Sequence, residues 1–111
     1  TAAGGQIEDV FISKFMKVVE EHMGDSNASV EELAAMMGLS RVQLYRKVKA
    51  LTGNTPVDLL RKARLSQARE LLTSTQLAVS EIAYQVGFTS PSYFTKCYKD
   101  EYGVVPGEDR R

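Results

Sequence analysis

The chain has 111 residues, 43% of them apolar and 25% charged, with a single cysteine and a single histidine. That length suits one domain with one modest hydrophobic core, no apolar run approaches the roughly 18 residues of a membrane span, and no secretory signal pattern opens the chain. The lone Cys97 excludes an internal disulfide and a cysteine-based zinc cage, and the lone His22 excludes a paired-histidine metal motif. These features predict a soluble, cytoplasmic, mostly helical protein that needs no metal or other cofactor.

The net charge of zero conceals an uneven distribution. Residues 1–39 carry a net −5, residues 40–72 a net +6 and residues 73–111 a net −1. A basic middle third suits a polyanion-binding face. A set of solvated helix surfaces would give the same count.

Thr1–Gln6 is small and Gly-rich and reads as a disordered tail or an artificial remnant. From Ile7 to Met23, Ile7, Phe11, Phe15, Val18 and Val19 recur at amphipathic-helix spacing, and Gly24 stops the helix. Ser29-Val30-Glu31-Glu32 is a capping box opening a short helix from Val30 to about Met37, ended by Gly38. Ser40-Arg41-Val42-Gln43 is another, starting a helix that runs to about Leu51. Thr55-Pro56-Val57-Asp58 supplies a cap, a first-turn proline and an early acid for a long basic helix to about Leu72. A short helix from about Val79 to Val86 ends at Gly87, and Ser90-Pro91 opens the last long one, which stops near Tyr102. These six helices, with short connections and no strand, make an all-α fold.

An internal repeat organises these helices. Val30–Leu39 aligns with Val79–Phe88 at an offset of 49, with identities at the valine, the second acid, the alanine and the glycine. After one extra residue in the second turn the offset becomes 50, matching Ser40 with Ser90, Leu44 with Phe94, Lys49 with Lys99, Gly53 with Gly103 and Pro56 with Pro106. Each copy is a short helix, a glycine turn and a longer helix, which is a helix-turn-helix. Ala34 and Ala83 let the second helix approach closely, and the turn glycine adopts a left-handed conformation without steric cost. Leu33, Leu39, Leu44 and Val48 hold the first pair together; Ile82, Phe88, Phe94 and Tyr98 hold the second.

The outward face of each second helix carries the functional reading. Opposite the buried Leu44, Val48 and Leu51 lie Val42, Tyr45, Arg46 and Lys49; opposite Phe94, Cys97 and Tyr98 lie Ser92, Thr95, Lys96 and Lys99. Arginine and lysine can donate to guanine O6 and N7, hydroxyls suit either base edge, and a valine methyl can meet a thymine methyl. Arg41, Lys47, Lys49, Arg61, Lys62, Arg64 and Lys99 suit phosphate oxygens, which position a protein on a duplex without reading sequence. Cys97 reads as a packing residue, His22 as a structural group near a helix C-terminus, and Tyr93, Phe94, Tyr98 and Tyr102 as core. No pair of side chains offers a nucleophile with its base and no Gly-rich phosphate loop is present, so the enzyme reading is rejected, with no catalytic residue assigned.

The stretch Ala68-x-x-Leu71-Leu72, Val79-Ser80-Glu81-Ile82-Ala83-x-x-Val86-Gly87-Phe88, Ser92-Tyr93-Phe94, Tyr98-Lys99, Tyr102-Gly103-x-x-Pro106 resembles the C-terminal DNA-binding domain of the AraC/XylS family of bacterial transcription regulators. The resemblance covers about residues 8–106. Leu44–Gly53 is also similar to output domains at the C-terminal ends of hybrid two-component response regulators of gut Bacteroidetes. The AraC/XylS resemblance implies seven helices forming two homeodomain-like helix-turn-helix subdomains, at about 30–51 and 79–102, joined by a linker helix over about 56–72, all within a DNA-binding domain over 7–111. Both second helices would enter successive major-groove segments about one turn apart. Carried over by position, base-reading sites fall on Val42, Tyr45 and Arg46, and on Pro91, Ser92, Thr95 and Lys96. The implied partners are a double-stranded promoter operator, RNA polymerase, and a sensing or dimerising module of the same longer chain; no membrane contact is implied. Two departures stand out. Ala78 replaces the capping serine of the first copy, and Asp109 stands where the family often has an aromatic in a Pro-x-x-aromatic-Arg ending. The competing reading is a helical protein-interaction module that keeps this fold without reading DNA.

Overall fold

In a computed structural model the described residues are 2–110, with side chains described from residue 8, and every regular element among them is a helix: α1 (Ala2–His22), α2 (Val30–Met36), α3 (Arg41–Thr52), α4 (Pro56–Ser74), α5 (Val79–Gln85), α6 (Pro91–Tyr102) and α7 (Pro106–Asp109). None of them is long and apolar enough to cross a membrane. The expected disordered tail over 1–6 is not found at Ala2–Gln6, which continues α1 towards its start. Ala2 and Ala3 are the strongest of helix formers and partly offset Gly4 and Gly5. Thr1 lies outside the described residues.

The chain divides into two units, with the boundary inside α4. The first contains α1, α2, α3 and the opening turn of α4, around Phe15, Val19, Leu33, Ala34, Leu44 and Val48, all at most 1% exposed. The second contains Met23–Asn27, the rest of α4 from Arg61, and α5, α6 and α7. Its core is Leu65, Ala68, Leu72, Ile82, Ala83, Val86, Phe88, Phe94, Cys97 and Tyr98. Burying a side chain such as Leu44 or Phe94 contributes about 1.5–3 kcal/mol by removal from water.

Capping chemistry starts the helices where the sequence places it. Ser40 Oγ accepts from the Gln43 amide at 3.2 Å while Gln43 Oε1 accepts from the Ser40 amide at 2.9 Å, a complete capping box. Thr55 and Asp58 reciprocate in the same way at 3.1 and 3.0 Å. Ser29 Oγ accepts from the Glu32 amide at 3.2 Å. Ala78 provides no side-chain cap to α5, as its methyl group requires. The small helix α7 follows the repeat: Pro106 stands 50 residues after Pro56, so α7 repeats the first turn of α4.

Both helix-turn-helix turns close by the same backbone pattern. The Leu39 amide donates to Ala34 O at 2.9 Å and the Gly38 amide to Ala35 O at 3.0 Å; the Phe88 amide donates to Ala83 O at 2.9 Å and the Gly87 amide to Tyr84 O at 3.1 Å. This Schellman closure requires a left-handed residue, and Gly38 and Gly87 supply it at φ +72° and +105°. Their surroundings differ. A Cβ on Gly38 would meet open space, whereas one on Gly87 would lie 2.2 Å from Met23 O and 2.7 Å from Arg64 Nε. Gly38→Ala should therefore cost about 1–2 kcal/mol of left-handed strain. Gly87→Ala should cost clearly more, because backbone must move as well. Thermal unfolding of both variants checks this, and equal losses would show that the close approach at Gly87 is readily relieved.

Candidate nucleic-acid interface

The first unit presents α3 with its inner stripe committed to the core and its outer stripe open. Leu44 and Val48 are fully buried, while Val42 is 57% and Tyr45 47% exposed, with Arg46 and Lys49 exposed beside them. Two large side chains thus stand half in water on the face opposite the core, contributing little to packing. The basic groups around it are partly engaged. Arg41 Nη1 lies 2.8 Å from Glu31 Oε1 in an exposed ion pair, a contact that adds little in water and readily exchanges for another anion. Lys49 Nζ donates to Gly53 O at 2.9 Å across the C-terminus of α3. The Lys47 ammonium sits 4.4 Å from the centre of the Phe11 ring of α1. Lys47 thus fastens α3 to α1, and a phosphate contact would require it to leave the ring.

The second unit repeats the arrangement on α6. Ser90 caps the helix, accepting the Tyr93 amide at 3.3 Å, and Pro91 occupies its first turn. Ser92, Lys96 and Lys99 are exposed and Thr95 is half-buried, at the positions that match Val42, Tyr45, Arg46 and Lys49. Ser92 Oγ lies 3.0 Å from Ser90 Oγ. Along the inner face runs a series of rings: Phe88 to Phe94 at 5.2 Å, Phe94 to Tyr98 at 5.8 Å and Tyr98 to Tyr102 at 4.7 Å between centroids. Cys97 is buried among packing residues. Tyr93 corrects the expectation that all four aromatic residues are core: it is 51% exposed, packing one edge towards Phe88 at 6.1 Å. Its counterpart in the first copy is the exposed Gln43, so the repeat held the signal. Tyr84 of α5, 56% exposed, aligns with the exposed Ala35 of α2 and was missed for the same reason.

Arg64, expected among the phosphate ligands, is engaged within the protein. It is half-buried, donating from Nε to Met23 O at 2.7 Å and from Nη2 to Asp25 O at 2.9 Å. Burial lowers its affinity for the proton, and Asp25 opposes that shift. Its position explains why: Leu60, Arg64, Ala68 and Leu72 recur every four residues, so Arg64 lies on the inward stripe of α4. It ties the chain after α1 to α4, and a phosphate contact would have to compete with these two hydrogen bonds. Arg61 and Lys62 also make interactions within the protein. Arg61 borders a groove of about 270 Å³ with Leu65, Tyr93, Lys96, Cys97, Asp100 and Glu101.

Two helix-turn-helix units with matching exposed stripes define a helix-turn-helix DNA-binding domain of the kind carried by transcription regulators. Residues 33–111 match the family described as a helix-turn-helix domain. Over 102 residues, 92% of this chain and 7% of the relative, the sequence is 35% identical to histidine kinase P4 of Formosa agariphila. Over 80 residues, 72% of this chain and 30% of the relative, it is 42% identical to the transcriptional activator RhaS of Mannheimia succiniciproducens. The fold matches the crystal structure of the DNA-binding domain of the global transcriptional factor AdpA in complex with a target DNA, with a TM-score of 0.82 and 31% identity, covering 88% of this chain and 87% of that one. The chain belongs to the AraC/XylS family of DNA-binding domains. Its fold and family are those of transcription regulators rather than of enzymes. The chain spans less than a third of the length of the two sequence relatives.

Two outcomes separate structural from DNA-facing cations and test the inner face of α6. Arg64→Ala should lower the unfolding temperature while leaving the slope of log K against log salt for duplex binding unchanged. A slope reduced by about one would return Arg64 to the phosphate contacts. The Tyr98 hydroxyl, desolvated and donating to Asp109, titrates above its ordinary value. The folded state therefore favours the neutral phenol, whose contribution is intact below about pH 10 and is lost as pH rises through the raised folded value. Alkaline unfolding curves should show this decline in the native protein and a shallower one in Tyr98→Phe.

Proposed function

We propose that the domain reads double-stranded DNA in a sequence-specific manner, with α3 and α6 each lying in a major-groove segment of a promoter operator. The observation that carries this reading is the repetition of one outward stripe, Val42, Tyr45, Arg46 and Lys49 on α3 and Ser92, Thr95, Lys96 and Lys99 on α6, exposed except for the half-buried Thr95, at an offset of 50 residues. Arg46 and Lys96 are the donors suited to guanine, Ser92 and Thr95 serve either base edge, and Val42, Tyr45 and Pro91 provide apolar contact to thymine methyls and sugar. Arg41, Lys49, Lys99, Arg61 and Lys62 lie on phosphates, with Arg41 exchanging Glu31 for a phosphate oxygen. The complex of AdpA with its target DNA supports the reading, since that domain shares this fold.

The domain serves as the output part of a longer, signal-responsive cytoplasmic regulator. The similarity to a histidine kinase, of which the match covers 7%, supports a place within a much longer signalling protein. RNA polymerase is the partner expected at the promoter.

Selection against a random duplex library at moderate salt tests the proposal. Two short enriched elements are expected. Arg46→Ala should cost about 1–3 kcal/mol and relax preference at one base pair, whereas Lys99→Ala should weaken all sequences alike and reduce the salt slope by about one. A folded domain that enriches no sequence and binds duplexes without salt dependence would instead be a helical interaction module.

A further inference from the structure

We infer that Asp109 is a positioning residue for DNA reading by the second unit: its carboxylate, shared between Tyr98 and Arg69, fixes how α6 presents Ser92, Thr95 and Lys96. The inference rests on the reading of α6 as a base-contacting helix.

The repeat shows why a carboxylate stands here. At an offset of 50 residues, Tyr98 takes the place of Val48 and Asp109 the place of Leu59. The first unit therefore has two aliphatic side chains at positions where the second has a phenol and an acid. Tyr98 is fully buried, so its hydroxyl would be costly to leave unpaired. It donates to Asp109 Oδ2. The same oxygen lies 3.2 Å from Arg69 Nε, and the Arg69 guanidinium stacks 4.5 Å from the centre of the Tyr102 ring. Asp109 keeps only 20% of its side-chain surface, which strengthens these charge-assisted contacts relative to ones fully in water. Arg110, the next residue, donates from Nε to Leu72 O at 3.0 Å and from Nη2 to Thr75 O at 3.5 Å, fastening α7 to the end of α4.

The network thus joins α4, α6 and α7 at the inner face of α6. Tyr98 and Tyr102 are four residues apart on that face, and the network holds both. The rings along α6 supply attraction but little directional constraint, because aromatic contacts tolerate rotation and sliding. A hydrogen bond to a charged acceptor is directional. It therefore limits rotation of α6 about its own axis, and such a rotation would swing the outward Thr95 and Lys96 away from the base edges.

The test uses the whole chain and the duplex selected by the native protein. Affinity is measured for that duplex and for versions with either element scrambled, at a temperature where circular dichroism shows each variant fully helical. In the native protein both scramblings should weaken binding. In Asp109→Ala, which leaves the Tyr98 hydroxyl without its acceptor, the loss from scrambling the α6 element should shrink about fivefold or more. The loss from scrambling the α3 element should stay unchanged, as should the salt slope. Tyr98→Phe removes one oxygen and keeps the ring, so it should act in the same direction even if Asp109→Ala folds poorly. The double variant should be no worse than the larger single change. Penalties for both elements that remain native, or that shrink together, would overturn the positioning role. A native protein indifferent to the α6 element would instead remove the reading of α6, and the positioning role with it.

Discussion

The left-handed glycine between the two helices of each copy is the constraint on which the remaining architecture depends. Gly38 and Gly87 take positive φ, and this lets the following apolar residue, Leu39 or Phe88, return its amide to an alanine carbonyl inside the preceding helix. The closure turns the second helix back against the first, and Ala34 and Ala83 are buried within the two units. With the crossing set, α3 and α6 have one face committed to the core and the other committed to solvent. The exposed stripe is a consequence of the turn as much as of the residues that form it.

The two copies solve the same packing problem with different chemistry. The first uses aliphatic residues, Leu44 and Val48, and leaves Val42 and Tyr45 exposed on the opposite face. The second uses a row of rings and then has to satisfy a buried phenol, which brings Asp109, Arg69 and α7 into the structure. The acid at Asp109 is therefore coherent with its neighbours. Charge is deployed in the same spirit: Arg64 and Lys47 belong to the basic middle third but serve the fold, one bonding backbone carbonyls and the other lying on a ring. Composition counts them with the other cations of that third, and geometry shows their contacts within the protein.

Most of what was legible in the sequence was local or periodic. Capping residues, turn glycines and the offset of 50 locate α2 to α6 to within a residue or two, because these signals act over three or four positions, whereas the start of α1, which has no such signal, lies five residues earlier than expected. The outward stripes of α3 and α6 followed from the same periodicity. What the sequence reading missed was readable only by comparing faces: Tyr93 is exposed because its counterpart Gln43 is, and Arg64 is inward because it lies in line with Leu60, Ala68 and Leu72. A charged residue on a buried stripe is legible as a conflict, but which atoms resolve the conflict is not.

The sequence by itself determined an all-helical chain, its two helix-turn-helix copies and the residues left on the outer faces, since hydrophobic period, caps and left-handed turns are properties of neighbours along the chain. The tertiary structure alone decided which polar groups those faces could spare. Arg64 meets the carbonyls of Met23 and Asp25, about forty residues earlier, and Asp109 meets Tyr98 and Arg69. Hydrogen bonds between groups so far apart in sequence depend on where packing brings buried donors to acceptors, and no local pattern encodes that meeting.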